Sequence, residues 1–227
     1  MCGRFTLTVS HQELLARYSV TEVTNFYHYP RYNIAPMQMV PAIVNDGRQN
    51  RIGLLRWGLI PSWAKDERIA AQTINAKAET LLEKASFKHL LYKKRCVIPA
   101  DSFYEWKNAS GKRLPMRIMM KDDGIFSMAG LYDTWVNSAN GQMLHTFTII
   151  TIKPNQLVAE FHDRMPVILN KQEEGKWLAR EKSTVEEVLA LLKPYPAEEM
   201  KAYPVSSVVG NVRNDIPECI KPLQGHT

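Results

Sequence analysis

Short apolar blocks alternate with polar turn residues along most of the chain, which is the pattern of a sheet-rich protein. Blocks rich in β-branched and aromatic residues predict strands. The predicted strands are 40–44, 52–59, 96–99, 103–107, 116–120, 125–131, 144–152 and 166–169. The turn sequence Asn45-Asp46-Gly47 between the first two predicts a β-hairpin.

Helical patterns are fewer and shorter. Ser10 with Glu13 forms the pattern of a capping box and predicts a helix extending to Tyr18. Further helical segments are predicted at 78–91, 156–161, 172–178 and 185–192, the last capped by Ser183 with Glu186. The segment 27–36, rich in Tyr, Pro and Asn, is predicted to be a loop. Short, mostly antiparallel strands with peripheral helices predict an α+β fold with a β-barrel-like core.

Composition is typical of a folded soluble protein and is compatible with an anionic partner. The 227 residues, 45% hydrophobic and 23% charged, are expected to form one domain over 1–227. No apolar run is long enough to span a membrane, and no signal segment is recognisable. The three cysteines lack disulfide or zinc spacing, so a reducing cytoplasmic setting without metal or cofactor is expected. The net charge of +6 is compatible with nucleic acid binding.

Cys2 gives the chain unusual chemistry if Met1 is removed. An N-terminal cysteine carries an amine titrating at about 7.7–8.0 beside a thiol titrating at about 8.5. An aldehyde can form an imine with this amine, and the thiol can then close a five-membered thiazolidine ring. Taken alone, however, such a cysteine is more often a small buried apolar residue.

Three other segments place polar residues in apolar surroundings: Asn75 in 73–80, Glu105 in 103–107 and His162 in 161–166. Each also has an ordinary structural explanation. Asn75 could cap a helix, Glu105 could point outward from a strand, and His162 could be a solvated residue at a helix end.

Together with Cys2, these segments resemble the SRAP domain, the abasic-site-processing or SOS-response-associated peptidase family. The resemblance covers nearly the whole chain. It rests on M-C-G-R-F at 1–5, R-Y-N-I-A-P at 31–36, R-W-G-L-I-P at 56–61, I-N-A-K-A-E-T at 74–80, F-Y-E-W-K at 103–107, F-H-D-R-M-P at 161–166 and P-V-S-S-V-V-G-N-V-R-N-D at 204–215. It implies covalent capture of abasic sites in single-stranded DNA, with Cys2, Asn75, Glu105 and His162 in the active site.

The chemistry of these residue types agrees with that implication. His162 suits the proton transfers that open the closed sugar and expose its aldehyde. Glu105 suits the removal of a proton from the amine, and Asn75 can hold a sugar oxygen without adding charge. The expected crosslink would shield the lesion.

A DNA-binding track is predicted beside these motifs. Its candidates are Arg4, Lys77, Lys84, Lys88 and Arg164 for phosphates, and Trp57, Trp63 and Trp106 for base stacking. The alternative for the lysines is a solvated helix face, and for Trp57 or Trp106 it is core packing. The protein is expected in the cytoplasm, associated with the nucleoid when DNA-bound.

Two other functions remain open from sequence. The chain could be an N-terminal-nucleophile cysteine hydrolase or autopeptidase that removes Met1, since class II glutamine amidotransferases also begin M-C-G. It could also be a non-enzymatic single-stranded DNA-binding module.

Overall fold

The computed structural model describes residues 2–21, 23, 26–109, 111–179 and 183–223, among which strand residues outnumber helical ones. The strands are β1 Phe5–Leu7, β2 Arg31–Ile34, β3 Met39–Asn45, β4 Asn50–Trp57, β5 Asn75–Lys77, β6 Arg95–Ala100, β7 Ser102–Ala109, β8 Lys112–Met120, β9 Phe126–Val136, β10 Met143–Ile152, β11 Met165–Pro166, β12 Ile168–Leu169 and β13 Met200–Pro204. The helices are α1 His11–Arg17, α2 Ala85–Lys88, α3 Leu90–Lys93, α4 Gln156–Ala159, α5 Lys171–Leu178 and α6 Val185–Leu189. Short 3₁₀ helices occupy Glu67–Gln72, Ala78–Thr80, Ala197–Glu199, Ser207–Gly210 and Pro217–Ile220.

The larger sheet closes on itself into a five-stranded barrel. Its strands pair in the order β10-β4-β3-β6-β9, and β9 pairs again with β10. The short strands β5, β11 and β12 extend this sheet, and β10 runs parallel to β4 and β5. A second sheet has the order β13-β8-β7-β1-β2. The predicted α+β fold with a barrel-like core and peripheral helices is confirmed.

The two sheets share one apolar core. Phe5 of the second sheet contacts Trp57 of the barrel at a ring distance of 5.1 Å, and Trp57 stacks on Phe147 at 6.2 Å. All three side chains are fully buried. Aromatic contacts of this kind add to the apolar burial, so β1 is held against the barrel and the residues before it are held with it.

The predicted helix 78–91 is wrong as a single element. A 3₁₀ turn at Ala78–Thr80 is followed by the two short helices α2 and α3. Leu81 and Phe87 are both buried, yet on one continuous helix they would point about 120° apart. Breaking the helix lets both side chains reach the core.

Other differences are local. The predicted loop 27–36 contains β2, because its backbone pairs with β1. The helix predicted at 185–192 ends sooner and is capped by Thr184 with Glu187, one residue later than predicted. The capping box of Ser10 with Glu13 is confirmed. None of the described helices is long and apolar enough to cross a membrane.

A buried polar cluster joins α1, β9 and α5. Ser127 Oγ donates to Glu174 Oε1 at 2.7 Å and contacts the Tyr18 hydroxyl at 2.8 Å, while Arg17 Nη1 donates to Glu174 Oε2 at 3.0 Å. The Glu174 side chain is 11% exposed. The cluster therefore depends on one largely buried carboxylate.

Glu174→Ala should lower the free energy of unfolding by about 3–5 kcal/mol, because it leaves the Arg17 charge and the Ser127 hydroxyl without their acceptor. Urea unfolding measures this loss. The exposed Glu83 gives the matched control, since Glu83→Ala should change stability by less than about 0.5 kcal/mol. Equal effects of the two substitutions on the free energy of unfolding would contradict the stabilising role of the Glu174 carboxylate.

Candidate active site

The N-terminal residues are positioned by the pairing of β1 with β7. Phe5 lies opposite Phe103, and the Tyr104 N–H donates to the Arg4 carbonyl at 2.9 Å. The chain preceding β1 therefore runs beside the segment that carries Glu105. The Cys2 side chain is fully buried at this point.

Asn75 holds the first residues from the barrel side. It lies in β5 opposite Ile149 of β10, and its Nδ2 donates to the Cys2 carbonyl at 2.9 Å. Its Oδ1 is buried and accepts no hydrogen bond from any part of the chain that the structure describes. Asn75 is therefore a strand residue rather than a helix cap, and it offers an acceptor beside Cys2.

Glu105 is a buried carboxylate in β7, with 3% of its surface exposed. Burial raises the pKa of Glu105 to about 7, and the nearby Asp163 carboxylate pushes it in the same direction. The alternative in which Glu105 points outward to solvent is thus excluded. At neutral pH this group is divided between its charged and neutral forms, which suits proton transfer.

The Cys2 thiol lies close enough to Glu105 to feel its charge. Burial raises the pKa of the thiol far above its ordinary value, the Glu105 charge raises it further, and a hydrogen bond from the Arg4 backbone opposes both. The thiol is therefore protonated at neutral pH. Such a thiol needs a base before it can attack, because the thiolate is the nucleophile.

His162 follows α4, and its side chain is 27% exposed. Its Nδ1 lies 3.0 Å from the Arg164 N–H and 2.8 Å from Asp163 Oδ1. Nδ1 cannot accept from the first and donate to the second at once. Burial lowers the pKa of His162, and Asp163 is 86% exposed. We therefore assign the neutral ring, with Nδ1 accepting from Arg164 and Nε2 carrying the proton.

The predicted phosphate-binding cations differ in their surroundings. Arg164 is buried, donates from both Nη atoms to the Glu79 carboxylate at 2.8 Å and also donates to the Thr151 carbonyl at 2.6 Å. Its charge is therefore compensated by a carboxylate. Lys77, Lys84 and Lys88 are exposed, which is compatible with phosphate binding and equally with a solvated face.

The three tryptophans predicted to stack on bases also differ in their surroundings. Trp57 is fully buried, and its indole N–H donates to the Ile74 carbonyl at 2.9 Å, so its ring faces the core and not a base. Trp63 is 59% exposed. Trp106 lies under the Arg4 guanidinium, 5.8 Å from the ring centroid. Only Trp63 and Trp106 keep a position compatible with stacking.

Sequence reasoning missed four residues that shape this site: Glu79, Asp163, Arg113 and Asn33. Glu79 and Asp163 lie inside recognised motifs, so motif membership was the available signal. Arg113 acts on the charges of both Glu105 and His162, and nothing in its sequence surroundings indicates that. Asn33 also lies inside a recognised motif, R-Y-N-I-A-P; it accepts a hydrogen bond from Arg4 and donates one to the Asn214 carbonyl.

Comparisons with known proteins agree with this arrangement. The family model described as SOS response associated peptidase (SRAP) matches residues 1–212. The abasic site processing protein YoqW of Bacillus subtilis is 49% identical over 97% of this chain and 99% of its own length. The abasic site processing protein HMCES of Gallus gallus is 34% identical over 86% of this chain and 67% of its own length. A crystal structure of a protein from Bacteroides thetaiotaomicron superposes with a TM-score of 0.86 at 31% identity, covering 98% of this chain and 100% of that one.

Proposed function

The chain belongs to the SOS response associated peptidase family, and from that premise we propose that it captures abasic sites in single-stranded DNA covalently. The amine and thiol of Cys2, exposed by removal of Met1, form a thiazolidine with the aldehyde of the open sugar. The product is a DNA–protein crosslink that shields the lesion. The names of YoqW and HMCES support abasic-site processing.

One observation carries the proposal. The carbonyl of Cys2 is bound by Asn75 at 2.9 Å, and its thiol lies within the electrostatic reach of Glu105. The two sheets thus bring a cysteine that can become the N-terminus to a hydrogen-bonding amide and a carboxylate with a pKa of about 7. Holding reacting groups in place in this way lowers the entropic part of the barrier.

The reaction begins with the sugar. His162 transfers a proton as the ring opens, which exposes the aldehyde carbon C1′. The free Cys2 amine attacks C1′ to form a carbinolamine, and loss of one water molecule gives the imine. Asn75 Oδ1 is free to accept a hydrogen bond from a sugar hydroxyl. Glu105 takes the proton that the amine releases and passes it to the departing hydroxyl, which leaves as water, so the carboxylate is ionised again before ring closure.

Ring closure uses the thiol. Cys2 Sγ attacks the imine carbon as its proton passes to Glu105, and a proton returned to the imine nitrogen leaves a neutral thiazolidine. The overall change is the loss of one water molecule. The protonated, buried thiol fits this order of events better than a hydrolase mechanism, which needs a thiolate from the start.

A denaturing gel tests the proposal. The protein is incubated with a single-stranded oligonucleotide that carries one uracil-derived abasic site. A heat-resistant shifted band is expected. A shift on a native gel alone would instead indicate a non-enzymatic binding module, and peptide or glutamine turnover without any DNA adduct would indicate a hydrolase.

Cys2→Ser should separate the two covalent steps. The amine remains, so the imine should still form and should be trapped by borohydride reduction. The thiazolidine cannot form, so the adduct without borohydride should be lost on heating. An equal yield of heat-stable adduct from the parent and the variant, both without borohydride, would contradict ring closure through the thiol.

A further inference from the structure

The Arg4 guanidinium is held by neutral acceptors. Its Nη1 donates to Asn33 Oδ1 at 2.7 Å and to the Val209 carbonyl at 2.7 Å. No carboxylate among the residues that the structure describes lies within ion-pair distance of it. Arg164 differs, because Glu79 compensates its charge at 2.8 Å. Arg4 therefore carries an uncompensated positive charge two residues from Cys2.

This charge retains donors for a ligand. A guanidinium has five N–H groups, and the two on Nη1 account for both recorded hydrogen bonds. The Nε of Arg4 is buried and donates to no group in the described part of the chain, so the two N–H groups on Nη2 are the donors left to meet a ligand. A partly buried charge with unused donors is costly unless an anion meets it. One face of the guanidinium lies over Trp106, which limits its freedom to turn.

Asn33 is itself fixed from several sides. It is fully buried in β2, and its Nδ2 faces the carbonyls of Val209, Asn211 and Asn214 at 3.1, 3.1 and 2.7 Å. Its backbone N–H donates to Asp215 Oδ1 at 2.9 Å. Three carbonyls on one side and a guanidinium on the other leave a single orientation for the amide, with Oδ1 toward Arg4.

An aspartate would be close in shape but different in charge. It would pair with Arg4 and cancel the charge that a phosphate would meet. It would also place an oxygen against three carbonyls. The neutral amide accepts a hydrogen bond from Arg4 through Oδ1 and donates to the carbonyls through Nδ2 without adding charge. An asparagine therefore suits this position.

We propose that Asn33 is the positioning residue for Arg4, holding its uncompensated charge beside the N-terminus for a phosphate of the bound DNA strand. The 207–215 segment takes part by supplying the Val209 carbonyl and the carbonyls that orient Asn33. The inference rests on the proposed function, because it takes single-stranded DNA as the ligand.

Salt-dependent binding tests the role without using the covalent chemistry. The probe is a single-stranded oligonucleotide with a tetrahydrofuran abasic analogue, which has no aldehyde. Loss of one phosphate contact lowers the slope of log affinity against log salt by about 0.7. Arg4→Ala and Asn33→Ala should each show this change, and the double variant should show no further change.

Asn45→Ala is the matched control. It removes an asparagine side-chain hydrogen bond to Asn50 Oδ1 at 3.0 Å in the β3–β4 hairpin, away from Arg4 and Asn33, so the slope should stay at the parent value. Asn33→Ser serves as a second variant if thermal melting shows that Asn33→Ala does not fold. Its hydroxyl can still donate to a carbonyl of the 207–215 segment, but the shorter side chain does not reach Arg4, so it should also lower the slope by about 0.7.

The outcomes separate the two proposals. The positioning role would be overturned if Asn33→Ala weakened binding by the same factor in the parent protein and in the Arg4→Ala variant. It would also be overturned if Asn33→Ala left the slope unchanged. Salt-independent binding by the parent protein would overturn it as well. Absence of a heat-stable adduct with a true abasic site would overturn the proposed capture, while the slopes measured on the analogue would still decide the role of Asn33.

Discussion

A protein carrying one extra, retained residue between Met1 and Cys2 should give no heat-stable adduct with abasic DNA. The extension converts the Cys2 amine into a peptide nitrogen, whose lone pair is delocalised into the carbonyl. An imine can no longer form, and the thiol alone can give only a labile hemithioacetal. Every side chain that lines the site is unchanged.

Binding should survive this change. Phosphate contacts dominate the affinity of such proteins, so the extended protein should bind the tetrahydrofuran oligonucleotide within roughly tenfold of the parent. Mass spectrometry must first confirm that the extra residue is retained. Crosslinking at the parent rate by a confirmed extended protein would exclude the Cys2 amine, and the exposed Lys77 amine would become the candidate nucleophile.

Glu105→Gln and His162→Ala should each slow single-turnover capture by roughly 10²–10⁴-fold, the range for loss of a general acid or base. Quenched-flow sampling on denaturing gels measures this rate. The exposed Glu160, which lies 3.8 Å from Lys107, provides the matched control, and Glu160→Gln should capture at the parent rate. Non-covalent affinity for the tetrahydrofuran oligonucleotide should change little in all three variants.

The pH dependence gives Glu105 a signature of its own. Glu105 accepts a proton only when ionised, so the capture rate should rise as pH passes through about 7. The Cys2 amine adds a further rise at about 7.7–8.0 as it loses its proton. Glu105→Gln should remove the first rise and keep the second. An unchanged pH profile and rate in this variant would leave Glu105 with a structural role only.

Local signals in the sequence were sufficient for elements with regular patterns. The hairpin around Asn45-Asp46-Gly47 and the capping box of Ser10 with Glu13 depend on neighbours a few residues apart, and both are present. The strands β1 and β5 contain three residues each. These two strands form because strands distant in sequence pair with them. A three-residue segment is too short to show an alternating pattern, so the sequence alone could not predict them.

The site shows the same division. The residue types Cys2, Asn75, Glu105 and His162 could be selected from their chemistry and from the motifs around them. The burial and the hydrogen-bond partners of these side chains could not be predicted from the sequence. Trp57 and Trp106 look alike in sequence, yet one fills the shared core and the other lies under Arg4.

The sequence by itself determined the barrel-like α+β fold, the family and the choice of Cys2 as the proposed nucleophile, because these depend on patterns and motifs that are continuous in the chain. Only the tertiary structure decided which arginine carries a free charge. Arg4 meets the neutral Asn33, whereas Arg164 meets the carboxylate of Glu79. The physical reason is that folding decides which groups lie within hydrogen-bond distance of a charged side chain, and therefore whether a carboxylate compensates its charge. These groups come from residues far apart in sequence.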